Sequence, residues 1–309
     1  MNSQTSATLI PTPIRVSFAD TPFEILEFAV SETRRGMVAL ATLVEIVGGA
    51  ARGLGSHVAV AADGRFCGYV SGGCVEAAVA TEALLAIQEG RDRIVRFGEG
   101  SPFFDIVLPC GGGIAIAIHL LKEPSVLEQI LGRLQRRQLA GMIYTPAEGK
   151  LEEVVAYPIP GWKGSSFVSI YGPRTRIVIS GRGAEAAALR RLGKAAGYEV
   201  WDDGASGASE PMIDAYTAVA ILHHDIDAEH HVTEAALRSP AFYIGALGST
   251  RTHRRRTQRL QGMSWSLKDI ERIRAPIGSF GPTKDATSLA LSILADITAC
   301  RLMAYGSAW

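Results

Sequence analysis

Residues 176–186 read Arg176-Ile177-Val178-Ile179-Ser180-Gly181-Arg182-Gly183-Ala184-Glu185-Ala186. A short β-branched apolar run predicts a strand, two glycines a tight turn, and the alanine-rich continuation a helix. The helix extends to about Ala196, and Gly197 ends it. Further strands are expected at Glu199–Trp201, Ala218–Leu222 and Tyr243–Leu247, with helical spacing at Thr233–Leu237 and from about Lys284 to Leu302. Strands alternating with helices predict a parallel, doubly wound sheet of Rossmann type. Within it the G-x-G-x-x-A turn has the context of a dinucleotide fingerprint. Gly181 allows the turn, and Gly183 lets a diphosphate approach the N–H groups at the helix start. Asp202 lies nineteen residues after Gly183, close to where a ribose-binding acid is expected. Such a loop recognises a diphosphate in general, so NAD(P) and a pterin dinucleotide fit equally, and an empty loop remains open.

Upstream of Gly172-Pro173 the periodicity is different. Phe23–Thr33 reads as a helix and Met37–Val47 as an apolar strand. The turn Gly48-Gly49-Ala50-Ala51-Arg52-Gly53-Leu54-Gly55 follows, then a hairpin of His57–Ala61 and Phe66–Val70 around Asp63-Gly64. Ser71-Gly72-Gly73-Cys74 opens a helix to about Gln88. Leu108-Pro109-Cys110-Gly111-Gly112-Gly113 leads into an alternating strand, Val126–Gln138 is an amphipathic helix, and Met142–Tyr171 reads as short strands. The expected fold is α/β, with an N-terminal α+β domain over residues 1–172 and a Rossmann-like domain over residues 173–309.

The chain's 309 residues suit two domains, and its 47% hydrophobic content supports a sizeable core. Thirty-one basic residues balance thirty-one acidic ones, so no global field favours nucleic acid or an anionic membrane. The longest apolar run, Ile106–Leu121, is interrupted by Pro109 and three glycines, too short and broken to span a bilayer. No secretory pattern opens the chain, and four cysteines without paired spacing suit reduced thiols, so a cytoplasmic location is expected.

Two cysteines sit in unusual company. Cys74, beside Gly72 and Gly73, lies at or near a helix start, where the dipole favours thiolate. Cys110, followed by Gly111 and Gly112, has room for a bulky ligand beside it. A thiolate ligates soft metals or carries sulfur, although each could equally be a small buried hydrophobe. Cys67 and Cys300, inside a strand and a helix, read as structural. Gly248-Ser249-Thr250-Arg251 follows a strand and starts a helix that could bind phosphate, with Arg251 adding a forked contact. The arginines beyond it read as a solvated or partner-facing surface. His223-His224-Asp225 and His230-His231 match no zinc spacing, and one ligand-facing residue in a loop is the better reading. His57 and His119 read as core or edge residues. Walker A, GxSxG and HExxH runs are missing from the sequence.

These runs, in this order, resemble the XdhC/CoxI family of molybdenum-cofactor chaperones. The N-terminal matches are Ala41-Thr42-Leu43-Val44-Glu45, Gly48-Gly49-Ala50-Ala51-Arg52, Ser71-Gly72-Gly73-Cys74-Val75-Glu76 and Cys110-Gly111-Gly112. The C-terminal matches are Gly181-Arg182-Gly183, His224-Asp225, Tyr243 to Arg251, Pro276-Ile277-Gly278 and Ala290-Leu291-Ser292-Ile293. The resemblance implies a chaperone, not a turnover enzyme, that binds molybdopterin, promotes exchange of an oxo ligand for sulfide, and delivers the cofactor to a xanthine-dehydrogenase-family enzyme. It also implies contact with a cysteine desulfurase and a homodimer. Carried over, Cys74 and Cys110 become candidate molybdenum contacts. Gly72, Gly73, Gly111, Gly112, Arg52 and His224 become candidates for lining the cofactor site, and Gly181, Gly183, Asp202, Ser249 and Arg251 for holding its phosphate or nucleotide end. Asp202-Asp203-Gly204, Ser279-Phe280-Gly281-Pro282 and Thr287-Ser288 depart from the family pattern, which would suit a cytosine-dinucleotide form of the cofactor. An NAD(P)-dependent oxidoreductase is the alternative.

Overall fold

The fold was analysed in a computed structural model that describes residues 10–99, 111–154, 159–202 and 213–306. Two units divide at Pro173/Arg174. In the first, β1 (Ile14–Arg15), α1 (Pro22–Thr33), β2 (Val38–Val47), β3 (His57–Ala61) and β4 (Arg65–Gly68) precede α2 (Glu76–Glu89). Then come β5 (Arg93–Gly98), β6 (Gly113–Leu121), α3 (Ser125–Gln135), β7 (Ala140–Thr145), β8 (Lys150–Val154), β9 (Gly161–Lys163) and β10 (Ser166–Tyr171). Six strands form one sheet in the order β1-β4-β3-β2-β6-β5, and four form another in the order β8-β7-β10-β9.

The sequence of β6 explains how the layers stack. Gly113–Leu121 forms the expected alternating strand, and all nine of its residues are buried. The alternation is in size. Ile114, Ile116, Ile118 and Leu120 pack with Val79, Ala83 and Leu84 of α2. Ala115 and Ala117 face the other way, onto Tyr144 and Phe167 of the four-stranded sheet. Small side chains let a second sheet come close, while the large ones fill the space under a helix. Buried polar bridges cross the same layer. His57 is hydrogen-bonded to Thr42 Oγ1 at 3.0 Å and to Tyr171 Oη at 2.7 Å. Asp92 accepts from Leu120 N–H at 2.9 Å and from Tyr144 Oη at 2.8 Å, and it pairs with His119 Nδ1 at 2.7 Å.

The second unit contains β11 (Arg176–Ser180), α4 (Ala184–Ala195), β12 (Glu199–Asp202), β13 (Thr217–Ile221), α5 (His230–Arg238) and β14 (Tyr243–Ala246). It continues with α6 (Thr250–Gly262), α7 (Leu267–Ile270), β15 (Ile273–Arg274) and α8 (Ala286–Tyr305). All five strands are parallel, in the order β12-β11-β13-β14-β15. This is a doubly wound sheet with its switch point between β11 and β13. The fold class is thus as the alternation predicted. The two-residue β15 escaped it, because so short a strand carries no period. By length and composition α8 could cross a membrane. In the structure its Ala290, Ile293 and Ile297 are buried with Leu189 of α4 and Ile177 of β11.

One expectation is overturned here. Arg256 belongs to the arginine run read as surface, yet its side chain is 2% exposed. It makes a forked ion pair with Glu229, one contact at 2.9 Å, and donates to Leu247 O at 2.8 Å. Helical phase turns this one arginine inward, and the fork satisfies both Glu229 oxygens. Helix α5 also starts earlier than expected, at His230, directly behind Glu229.

Two outcomes follow. Arg256→Met leaves Glu229 buried and unpaired, and should cost about 3 kcal/mol in chemical denaturation, against less than about 0.5 kcal/mol for Arg254→Met on the exposed face. Burial holds the His57 imidazole at about 3, down from 6.5. The unfolded chain therefore takes up a proton below about pH 6.5 while the folded one stays neutral, so stability present above that pH is lost as it falls toward 3. The loss should be about 3 kcal/mol at pH 4. Denaturation midpoints between pH 7 and 4 should show a flatter acid slope for His57→Gln.

Candidate functional site

Three glycine-containing segments of the first unit meet at the ends of its central strands. Strand β2 carries a register shift between Leu43 and Glu45 and leads into Gly48, at φ +73°. Gly112, immediately before β6, packs against that turn. A Cβ there would lie 2.4 Å from Val47 O and 2.8 Å from Gly49 O, so only glycine fits. On the other side a Cβ on Gly72 would lie 3.6 Å from the Ala51 methyl. The Gly48–Arg52 turn therefore adjoins both the Gly72 loop and the Gly112 approach. Gly72, Gly73, Cys74 and Gly111 are exposed. Cys110 lies outside the described residues, and so does its distance from Cys74.

The Cys74 loop is held from beneath. Helix α2 starts at Glu76 with Val75 as its cap, so Cys74 sits two residues ahead of the helix, near its start as expected. Glu76 is 1% exposed. Its carboxylate accepts from Val70 N–H at 3.2 Å, Ser71 N–H at 2.8 Å and the Ser71 hydroxyl at 2.9 Å. Ser71 Oγ in turn accepts from Gly73 N–H at 3.3 Å and lies 3.5 Å from Cys74 Sγ. One buried carboxylate thus fixes the loop's entry, and one hydroxyl reaches its tip. Sequence reading quoted Glu76 in the motif and gave it no role. Its signal was an acid at a helix start, directly behind a glycine turn.

Arg52 stands beside this loop, paired with Asp20, its Cζ 5.0 Å from the centre of the Tyr69 ring. In the second unit the predicted residues gather at the carboxyl edge of the parallel sheet. Gly181 follows β11, Asp202 ends β12, His224 follows β13, and Ser249 and Arg251 follow β14. Gly181 has φ +141°, and a Cβ there would meet Leu222 O at 2.6 Å. Gly183 caps α4 in extended backbone. A Cβ there would lie 2.6 Å from Glu185 Oε2, the far end of a flexible side chain, and Gly183 itself is exposed. Ser249 caps α6, accepting from Thr252 N–H at 3.3 Å, and Arg251 is exposed. His224 is exposed, whereas its neighbour His223 is hydrogen-bonded to Ser180 Oγ at 2.8 Å. Among the described residues no group of three His, Cys, Asp or Glu could hold a metal ion. Cys67 in β4 and Cys300 in α8 are buried, and burial pushes the Cys67 thiol up to about 12.

Removing the hold on the loop should be measurable. Glu76→Ala strands two buried N–H groups and should cost about 2 kcal/mol of stability or more. The Val70 and Ser71 amides should then exchange hydrogen at least about tenfold faster, a loss of protection equivalent to about 1.4 kcal/mol. Unchanged protection would show that Glu76 does not hold the loop.

Residues 32–98 match the XdhC and CoxI family, and residues 177–297 match the XdhC Rossmann domain. The molybdenum cofactor insertion chaperone PaoD of Escherichia coli (strain K12) is 46% identical over 293 residues, 94% of this chain and 92% of PaoD. A crystal structure of a xanthine dehydrogenase from Bacillus halodurans shares the fold, with a TM-score of 0.71 over 91% of this chain and 95% of that one at 19% identity. With both of its units matched and a relative so similar along nearly its whole length, the chain belongs to the XdhC/CoxI family.

Proposed function

We propose that this protein binds the molybdenum cofactor as cargo, holds it for sulfuration, and inserts it into a target molybdoenzyme of the xanthine dehydrogenase family. The observation that carries the reading is the exposed Cys74 thiol on a glycine loop anchored by Glu76. It is supported by the 46% identity to an insertion chaperone. The cargo brings a soft metal that accepts thiolate ligands. The protein's part is positional. Gly72 and Gly73 present backbone without side chains, so a bulky group can approach Cys74 closely. Ser71 Oγ, 3.5 Å from Cys74 Sγ, orients the thiol. Cys110 is assigned to the same task from its sequence alone. A cysteine desulfurase as sulfur donor, a homodimer as the working unit and a cytosine-dinucleotide cargo are the finer parts of this reading, and they rest on the family resemblance.

The alternative, an NAD(P)-dependent oxidoreductase, would place its cofactor on the fingerprint loop at the start of α4. Incubation of the purified protein with molybdenum cofactor, followed by gel filtration, separates the two. Wild type should retain the cofactor, and Cys74→Ala and Cys110→Ala should each reduce retention at least about tenfold, equivalent to about 1.4 kcal/mol. Equal, poor cofactor retention by all three, together with tight NADH retention, would establish the oxidoreductase reading instead.

A further inference from the structure

The geometry points to a second contact for the cargo within the first unit: an oxyanion site formed by Arg15 and Arg52 around Tyr69, taking a phosphate group. This rests on the reading that the first unit carries a phosphorylated cofactor. Tyr69 directly precedes the Val70 and Ser71 N–H groups held by Glu76, so its backbone shares the anchor of the Cys74 loop. Both guanidinium groups address its ring, with Cζ 4.3 Å from the centroid for Arg15 and 5.0 Å for Arg52. Arg15 also lies 4.8 Å from the Phe66 ring and donates to Gly68 O at 2.9 Å. Ala51, next to Arg52, touches Gly72. Two cations, one aromatic ring and the exposed thiol therefore belong to one continuous stretch of surface.

The charges there are incompletely compensated. Arg52 is paired with Asp20, whose side chain is 57% exposed. Among the described residues no acid pairs with Arg15. Holding two guanidinium groups at one ring costs Coulomb repulsion, and one solvated carboxylate offsets little of it, because exposed pairs contribute weakly. A guanidinium over a ring face still donates in its own plane, and Arg15, which gives one N–H to Gly68 O, has others left for an anion. A phosphate oxygen pair matches that edge, whereas a single solvated carboxylate is easily displaced. Asp20 then acts as the occupant of the empty site and exchanges with the phosphate on binding.

The test measures binding of inorganic phosphate, phenyl phosphate and ADP-ribose to the full chain by calorimetry at low ionic strength, where screening is least. Phosphate and the monoester should bind in a single site. Arg52→Ala should weaken that binding about tenfold. Asp20→Asn should strengthen it about threefold, since it removes the competing carboxylate, an effect a purely structural role would not give. Arg15→Lys, which keeps the charge and loses the fork, should weaken it less than Arg52→Ala does. Unchanged affinity in both Arg52→Ala and Asp20→Asn overturns the site. So does binding of ADP-ribose alone that is insensitive to both, which would place the diphosphate elsewhere. Phosphate binding lost in Arg52→Ala while cofactor retention still depends on Cys74 supports both readings. Cofactor retention that ignores Cys74 while phosphate binding still needs Arg52 removes the chaperone reading and leaves the anion site.

Discussion

The candidate site depends on one buried carboxylate. Glu76 is drawn from water to 1% exposure, and it can remain so only because three donors from Val70 and Ser71 meet it. An acid at the start of α2 is favoured by the helix dipole, so the anchor is supported from both sides: N–H groups of the preceding loop and the positive end of the following helix. The loop needs that support. Gly72 and Gly73 give it close approach and cost it conformational entropy, and Gly73 sits at φ +110°. Without a fixed point on each side, a run of this kind would sample many shapes. With Glu76 beneath it, Cys74 is exposed and still placed.

The same division between fixed and free recurs in the second unit. Asp296 of α8 accepts from Tyr243 Oη at 2.9 Å and pairs with Arg274 at 2.9 Å, tying the last helix to β14 and β15. Ser292 reaches the Ser279–Phe280 backbone from the same helix, accepting from Phe280 N–H at 2.9 Å. Arg256 and Glu229 tie α6 to the start of α5. The Arg256–Glu229 pair is buried on both sides, where a broken pair is costly, and Asp296 is buried although its partner Arg274 is half exposed. The residues left exposed are those at the carboxyl edge, His224, Ser249 and Arg251. Ligands of a doubly wound sheet are met on that edge.

How much of this could be read from the sequence follows the range of each signal. Residues 176–186 declared strand, turn and helix because both periods are local, and the glycine turn between them is unambiguous. Cys74 could be picked out because glycines around a thiol are unusual, but where the helix begins depends on Glu76, whose partners Val70 and Ser71 lie behind it in the chain. Arg256 looked like its neighbours because nothing within one helical turn marks it. Its partner, Glu229, is 27 residues away. The alternation of β6 is local too, but which of its faces meets a helix and which a second sheet is decided by α2, β7 and β10. Arg15 and Tyr69 gave no signal, since a lone basic residue and a lone aromatic meet only through the parallel pairing of β1 with β4.

The two places where an anion could be bound differ in what already occupies them. At the α4 start, Glu185 places a carboxylate in the first turn, near the exposed Gly183. A diphosphate arriving there meets a like charge on the same helix turn. Around Tyr69 the competitor is Asp20, an exposed acid paired with Arg52, while Arg15 lies over the same ring. Fold-level precedent points to the first place, because G-x-G turns on parallel sheets bind nucleotides. The local electrostatics point to the second. A fingerprint loop states that a diphosphate fits the backbone, and it says nothing about whether a neighbouring side chain has taken its position. In this chain the residue two positions after the second glycine is a glutamate, and that single side chain weakens the case for the Rossmann loop as the stronger anion site.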